Sequence, residues 1–247
     1  MAIPKTAVVT RTRAVGPEAR SVELELPEPL GFSGGQYIII DSGLVRPNGK
    51  AAKRAYSPIS TDGEQQRVEL VVKRIPDGLS SHHMHQLRAG DEVRFSGPWG
   101  KLTAPEAGVP ELEPGGPRVL VLATDTGITA ALGLVQSRHF RPLLQSTLLL
   151  WLRVDEDDFI PDGFVREHLP HGLSFRSRSF PPVHHPERLP IARALLTELL
   201  EGGAIHHARV SGDGVINYGL MGDFAAHGVA LGRDDVESFF NMPLKSQ

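Results

Sequence analysis

The tetrapeptide Arg54-Ala55-Tyr56-Ser57 is the most informative stretch of this chain. It follows an apolar run at residues 37–40 and precedes Pro58, which is the setting of an extended segment that ends in a turn. An arginine, an aromatic ring and a hydroxyl group would then face one site. A cation that pairs with phosphate, a flat ring that stacks and a small hydrogen-bonding group together suit a dinucleotide with a flavin head.

Composition and charge exclude several classes of protein. The chain has 247 residues, enough for one large domain or two ordinary ones, and 40% of them are hydrophobic, which supports a packed core. A net charge of −3 gives no basic footprint for nucleic acid. Cysteine is absent, so this chain holds no disulfide, catalytic thiol or cysteine-ligated iron–sulfur cluster. Its 11 histidines form no familiar metal-binding pattern, so no metal site is expected.

Apolar segments give no sign of membrane insertion or export. Residues 1–5 lack the apolar core of a signal peptide. The apolar runs at residues 119–123 and 147–152 are too short to span a bilayer and instead resemble buried strands. We therefore expect a cytoplasmic protein that does not insert into a membrane.

Short strand-like segments, separated by glycine and proline, fill the first part of the chain. Residues 21–26 alternate strictly between polar and apolar, which predicts a strand with one face in water. This spacing predicts an antiparallel β-barrel, interrupted by one helix near residues 80–87. The predicted strands are residues 7–12, 20–26, 36–40, 67–73 and 92–96.

A segment rich in proline and glycine at residues 104–116 predicts a linker. We therefore place a first domain at residues 1–112 and a second at residues 117–247. Strands and helices alternate in the second domain, which predicts an α/β doubly wound parallel sheet. The predicted strands are residues 118–123, 147–153, 173–178, 208–211 and 236–240, and the predicted helices are residues 127–137, 190–201 and 217–227.

Three further motifs follow the tetrapeptide at suitable distances: Gly78-Leu79-Ser80-Ser81, Gly97-Pro98-Trp99-Gly100 and Thr126-Gly127-Ile128-Thr129. With these motifs the chain resembles the ferredoxin–NAD(P)H reductase superfamily, in which an FAD-binding antiparallel barrel precedes a Rossmann-like NAD(P)-binding domain. The resemblance extends over roughly residues 6–243 and includes no iron–sulfur domain. It implies FAD as the cofactor and NADPH or NADH as the electron donor.

The resemblance implies that the first domain holds the flavin. Arg54 would pair with the FAD pyrophosphate, Tyr56 would stack on the isoalloxazine, and Ser57 would hydrogen-bond near the flavin N5. Gly78 permits a close backbone approach, and the helix that follows it begins with free N–H groups that favour an anion. The residues implied to bind FAD are Arg54, Ala55, Tyr56, Ser57, Val71, Val72, Lys73, Gly78, Leu79, Ser80 and Ser81.

The second domain is implied to hold the nicotinamide nucleotide through Thr126, Gly127, Thr129 and Ser211. Its motif departs from the family's Gly-Gly-Thr-Gly-Ile-Thr-Pro, because Thr124 and Asp125 replace two glycines and Ala130 replaces the proline. A carboxylate beside a pyrophosphate is repulsive unless it turns away or pairs with a base. Asp213, two residues after Ser211, would add a second acid to the nucleotide cleft.

The C-terminal residues Glu237-Ser238-Phe239-Phe240 resemble the family's closing strand. Glu237 would lie beside Ser57, and these two are the candidate catalytic residues, which would orient and tune the reacting groups. Phe239 would either cover the nicotinamide-facing side of the flavin or pack in the core. We expect Trp99 to seal the core rather than to contact the cofactor.

Two functions remain open. The first is an FAD-dependent oxidoreductase that moves electrons between NAD(P)H and a separate one-electron acceptor, such as ferredoxin, flavodoxin or an oxygenase component. The second is a flavin-binding regulatory or electron-transfer subunit whose nicotinamide site is degenerate and whose flavin is reduced by a protein partner. Substitution of Asp125 by glycine separates them: a lower KM for the nucleotide favours the first function, and unchanged inertness favours the second.

Overall fold

The computed structural model describes residues 4–105, 118–154, 159–202 and 205–242, which form two sheets, one in each half of the chain. The first sheet has six antiparallel strands in the order β4-β3-β6-β1-β2-β5, and one helix, α1 (Leu79–Gln86), follows its fifth strand. The strands are β1 (Lys5–Gly16), β2 (Ala19–Glu25), β3 (Tyr37–Val45), β4 (Ala51–Tyr56), β5 (Arg67–Lys73) and β6 (Glu92–Trp99).

The first sheet closes into a barrel around an apolar core. A bridge between Pro58 and Leu70 brings the β4 edge to the β5 edge, so the six strands form a barrel. Inward side chains such as Val22, Leu24 and Ile40 fill the interior of the barrel. The predicted antiparallel barrel is confirmed, and the tetrapeptide lies at the end of β4, as an extended segment that leads into Pro58.

The second sheet is parallel, with the strand order β11-β10-β7-β8-β9. Nearly every residue of β7 and β8 is buried, because helix α2 covers one face of the sheet and helices α4 to α6 cover the other. The predicted doubly wound sheet is confirmed. Its strands are β7 (Val119–Thr124), β8 (Thr147–Arg153), β9 (Ser174–Ser179), β10 (His207–Asp213) and β11 (Val236–Phe240), and its helices are α2 (Ile128–Val135), α3 (Asp162–Glu167), α4 (Arg188–Leu200), α5 (Gly214–Gly219) and α6 (Met221–Ala226).

The path of the chain creates a crevice in this sheet. From β7 the chain runs outward through β8 to β9 and then returns to β10, on the other side of β7. The carboxyl ends of β7 and β10 therefore flank a point where the strand order reverses, which is where open α/β sheets bind ligands.

Some local predictions differ from the structure. The predicted helix at residues 217–227 is two short helices, α5 and α6, which meet at Leu220. Helix α5 begins early because the Asp213 side chain accepts a hydrogen bond from the Val215 N–H and so caps it. Short helical segments at Arg138–Ser146 and in α3 were not predicted, since they carry too few residues for a clear period. The predicted domain boundary at residues 112–117 lies outside the described residues and stays a prediction.

The two domains meet backbone against backbone. A Cβ atom on Gly34 would clash with the Gly133 carbonyl, and one on Gly133 would clash with the Pro58 carbonyl. Beside this contact the buried Asp62 carboxylate accepts hydrogen bonds from the Gly34 N–H at 3.1 Å and from the Ser137 hydroxyl at 2.6 Å. The close approach of the Gly34 and Gly133 backbones, together with the hydrogen bonds to Asp62, therefore fixes the barrel against the parallel sheet.

Candidate functional site

A cavity of about 1770 Å³ lies between the two domains. The barrel contributes the end of β4 and the loop that leads into α1, and the second domain contributes the loop after β7 and strand β11. Sites for a single small ligand measure about 300–1,000 Å³. The cavity therefore has room for a dinucleotide and for part of a second ligand.

The tetrapeptide supplies three different groups to this cavity. Arg54 is exposed, Tyr56 is half-buried and packs against the barrel core, and Ser57 is buried. Burial raises the pKa of Tyr56, so its ring stays neutral at physiological pH. The Ser57 hydroxyl has no hydrogen-bond partner within the described part of the chain. A buried hydroxyl without a partner beside a cavity fits a ligand that brings a polar atom to it.

The loop before α1 is held by its own serines. The Ser81 hydroxyl donates to the Gly78 carbonyl at 2.9 Å and accepts from the Ile75 N–H at 3.1 Å, and the Ser80 hydroxyl donates to the Ala52 carbonyl at 2.8 Å. These side chains thus shape the loop, and the backbone N–H groups at the start of α1 remain for a ligand. No acidic residue lies in the first turn of α1, so the loop and Arg54 together suit an anion such as a pyrophosphate.

Strand β11 closes the cavity from the second domain. Glu237 and Phe239 both line it, and the Phe239 ring meets the Tyr37 ring edge-on, with centroids 6.1 Å apart. Burial raises the pKa of Glu237, although a backbone hydrogen bond from Lys101 opposes this shift. A Cβ atom on Gly100, whose φ is +88°, would lie 2.7 Å from a Glu237 carboxylate oxygen. The last glycine of the Gly97–Gly100 motif therefore leaves room for Glu237.

The prediction that Trp99 seals the core is wrong. Its side chain is 38% exposed, does not line the cavity, and donates an indole hydrogen bond to the Ser96 hydroxyl at 3.3 Å. Trp99 is the last residue of β6, where the strand leaves the barrel, so its ring has no covering layer.

A buried cation lies between two acids at the crevice of the parallel sheet. The Arg188 guanidinium donates to Asp125 Oδ2 at 2.5 Å and lies 3.3 Å from Asp213 Oδ2. All three side chains are at most 5% exposed, and the guanidinium also lies over the Phe180 ring at 4.4 Å. Burial raises the pKa of Asp125, the pairing with Arg188 opposes this, and the nearby Asp213 adds to it. Asp125 thus has the basic partner that a carboxylate in this motif requires.

The two acids face in different directions. Asp125, with a φ of +50°, lines the cavity, and its backbone carbonyl accepts a hydrogen bond from the Trp151 indole at 2.9 Å. Asp213 does not line the cavity, since its carboxylate caps α5 and accepts from the Asn241 amide at 3.0 Å. The expectation that Asp213 adds an acid to the nucleotide cleft is therefore wrong.

Most of the predicted site residues line this one cavity, and the exceptions are Val72, Gly127 and Ser211. Val72 lies in the barrel core. The Ser211 hydroxyl donates to the Gly127 carbonyl at 2.9 Å, and a Cβ atom on Gly127 would clash with the Ser211 backbone. Gly127 and Ser211 therefore join the loop after β7 to β10. Sequence reasoning missed Arg188, which lies 63 residues from Asp125 and belongs to no motif.

Two further findings concern only the residues that the structure describes. Within the described ranges, no group of three or more acidic or histidine side chains is placed to hold a metal ion. None of the helices described is long and apolar enough to cross a membrane.

Residues 6–103 match the sequence model of the oxidoreductase FAD-binding domain family. The matched residues span the barrel, which is therefore similar to an oxidoreductase FAD-binding domain. The chain is 35% identical to the reductase subunit of an aromatic O-demethylase from an Amycolatopsis species, over 58% of this chain and 41% of that protein. It is 29% identical to NADH-cytochrome b5 reductase 1 from Cryptococcus neoformans, over 54% of this chain and 42% of that protein. The matched part thus spans less than half the length of these curated relatives.

The whole chain resembles solved two-domain structures. A ferredoxin NADP+ reductase from Neisseria gonorrhoeae aligns with a TM-score of 0.72 and 18% identity, over 97% of this chain and 100% of that one. This likeness confirms the two-domain fold, in which an antiparallel barrel precedes a Rossmann-like α/β domain. The residues that line the barrel's side of the cavity fit FAD: a helix start without acidic residues in its first turn, an aromatic ring and an unpartnered hydroxyl.

Proposed function

We propose that this protein is an FAD-dependent oxidoreductase that takes electrons from NADH or NADPH and passes them to a separate one-electron acceptor. The observation that carries this proposal is the single cavity shared by the FAD-binding domain and the crevice of the parallel sheet. Its volume of about 1770 Å³ accommodates a flavin dinucleotide with a nicotinamide group beside it.

The FAD-binding domain holds and orients the cofactor in this proposal. Arg54 and the backbone N–H groups that begin α1 hold the pyrophosphate, and Tyr56 stacks on the ring system. The buried Ser57 hydroxyl hydrogen-bonds the polar edge of the flavin. When bound, FAD supplies the redox chemistry, because it exchanges electrons in pairs or singly.

The second domain positions the nicotinamide nucleotide. Thr126 and Thr129 line the cavity from the loop after β7, and Glu237 and Phe239 line it from β11. We assign contact with the nucleotide to these four residues, whereas Gly127 and Ser211 keep the loop in place. Phe239 is half-buried and excludes water from the region between the two ligands.

The acceptor is a separate protein. The similarity to a reductase subunit of an aromatic O-demethylase favours an oxygenase component, with cytochrome b5, ferredoxin and flavodoxin as the competing candidates. Since these 247 residues include no cysteine, a cysteine-ligated cluster in such a relay would lie outside them. A cytoplasmic location fits this role.

Anaerobic visible absorbance of the purified protein tests the proposal. Addition of NADH or NADPH is expected to bleach the flavin spectrum, and the two rates rank the nucleotides. A spectrum that persists with both nucleotides but bleaches with dithionite contradicts the proposal. That outcome favours the second function, a flavin-binding subunit with a degenerate nicotinamide site. The presence of Asp125 in the lining of the cavity supports this alternative.

A further inference from the structure

Asp125 has one engaged carboxylate oxygen and one that is not. Oδ2 accepts the 2.5 Å hydrogen bond from Arg188, whereas Oδ1 is buried and has no hydrogen-bond partner among the described residues. The residue is 5% exposed and lines the cavity. Buried polar atoms are almost always hydrogen-bonded, so an unpartnered carboxylate oxygen at a cavity wall marks the position of a missing donor.

The charge around Asp125 selects the kind of donor. Arg188 is the one cation in contact with both Asp125 and Asp213 among the described residues, so these three groups carry a net negative charge when ionised. Lys73 lines the same cavity and acts electrostatically on Asp125, which offsets part of this charge. A phosphate beside the free oxygen would be repelled at close range in a poorly solvated site. A neutral hydroxyl or amide N–H, in contrast, would form a charge-assisted hydrogen bond.

The position of Asp125 places this acceptor within reach of the second ligand. It follows β7 directly, at the carboxyl edge where the strand order reverses, and it is adjacent to Thr126, which also lines the cavity. Its φ of +50° and the hydrogen bond from Trp151 to its carbonyl fix the backbone. Arg188 holds the other oxygen of the carboxylate, Oδ2, which fixes the position of Oδ1.

We propose that Asp125 binds the nicotinamide nucleotide directly, by accepting a hydrogen bond at Oδ1 from a neutral donor, either a ribose hydroxyl or the carboxamide N–H. Arg188 is the positioning residue that holds this carboxylate. The inference rests on the proposed function, and it makes Asp125 a determinant of nucleotide affinity. It also reverses the expectation from the sequence, because replacement of Asp125 should weaken nucleotide binding.

Isothermal titration of the FAD-loaded protein with NAD+ and with NADP+ tests this, since both oxidised nucleotides bind without reducing oxidised flavin. Asp125→Asn keeps an oxygen for Arg188 and presents an amide N–H2 where the free oxygen was. We expect its Kd for the preferred nucleotide to rise about 10- to 100-fold, the loss of one charge-assisted hydrogen bond. If Asp125→Asn fails to fold, Asp125→Gly replaces it in the test, because glycine tolerates the positive φ. The Kd of Asp125→Gly for the preferred nucleotide should also rise.

Asp213→Asn is the matched variant, because it removes the same charge from the same cluster at a residue that does not line the cavity. We expect its Kd to stay within about threefold of wild type, since no ligand contact is lost. Asp223→Asn, in an exposed pair with Arg193, controls for substitution in this domain. Flavin absorbance and melting temperature establish that each variant is folded and loaded.

Lower Kd values for both Asp125→Asn and Asp213→Asn would show that the two acids only repel the nucleotide. An unchanged Kd for Asp125→Asn would show that Asp125 Oδ1 makes no contact with it. Either result overturns the inference and leaves the proposed function standing. A wild-type protein that binds neither nucleotide, and whose flavin neither NADH nor NADPH reduces, overturns the proposed function and the inference together.

Discussion

The Glu69 carboxylate of the barrel lies 3.7 Å from the His168 imidazole of the second domain. Glu69 also accepts hydrogen bonds from Ser21 at 2.5 Å and from Arg13 at 3.3 Å. Although burial opposes it, the ion pair with His168 and the hydrogen bond from Ser21 lower the pKa of Glu69 to about 2, and Glu69 in turn raises the pKa of His168. The pair therefore ties the two domains together while His168 is protonated.

The contribution of His168 to stability should fall as the pH rises. Its folded pKa lies above its unfolded value of about 6.5, so the stabilisation is complete below about pH 6.5 and is lost through the higher folded pKa. His168→Gln should lower the free energy of unfolding by about 1–3 kcal/mol at about pH 5.5 and by much less at about pH 9. Melting curves across this range, with the exposed His171→Gln as control, measure the difference. A gap between wild type and variant that does not change with pH would contradict the assignment.

Removal of the buried cation should be costly. Arg188→Met leaves Asp125 and Asp213 unpaired, and we expect a loss of about 3–5 kcal/mol in urea unfolding at neutral pH. Adding Asp125→Asn to that variant should restore part of the loss, because one fewer buried carboxylate then lacks its cation. Arg193→Met, which breaks an exposed pair with Asp223, should cost about 1 kcal/mol or less. Equal costs for the two arginine variants would show that burial of the pair is unimportant.

Two helical glycines should respond in opposite ways to alanine. Gly133→Ala forces a methyl group against the Pro58 carbonyl, and we expect it to destabilise the protein by about 1–3 kcal/mol. Gly222→Ala in α6 meets no atom within 4 Å and should stabilise the protein by up to about 1 kcal/mol, through helix propensity. Thermal melts of the two variants decide this, and a neutral Gly133→Ala would mean that the domains can move apart at this contact.

Two buried serines at the cavity should separate binding from stability. Ser57→Ala removes a hydroxyl without a protein partner in the described chain, so the FAD-free protein should keep its stability to within about 0.5 kcal/mol. Ser80→Ala breaks the bond to the Ala52 carbonyl and should cost about 1–3 kcal/mol. In the FAD-loaded protein, Ser57→Ala should slow flavin reduction by NADH or NADPH about 10- to 100-fold, measured by stopped-flow absorbance. Normal reduction by this variant would remove Ser57 from the candidate catalytic residues.

Local periodicity was enough to predict both sheets, because strands buried on one face or on both faces leave different patterns in the sequence. β7 and β8 are continuous apolar runs, and β2 alternates. The resemblance to a known family, carried by short motifs, implied that Arg54–Ser57 and the Gly78 loop share one site, and both line the cavity. The strand patterns and the motifs themselves each depend on residues that are near in sequence.

Features that depend on distant residues could not be predicted. Chemical reasoning required a base for Asp125, but the choice of Arg188 among many arginines is made by the fold, which brings the start of α4 beneath the end of β7. Likewise, the direction of Asp213 follows from the start of α5 and from Asn241. Trp99 was predicted to be buried because large aromatic residues are usually found in the core. It lies at the end of β6, where no other element of the described chain covers its ring.

The contact of Gly34 with Gly133 makes the two domains a matched pair. A chimaera that joins this barrel to the α/β domain of another protein needs a glycine at the facing helical position, as well as the hydroxyl that reaches Asp62. Alanine there would place a methyl group against the Pro58 carbonyl of the barrel. Recombination of such domains is therefore limited first by the fit of two backbones, and only afterwards by the side chains that line the cavity.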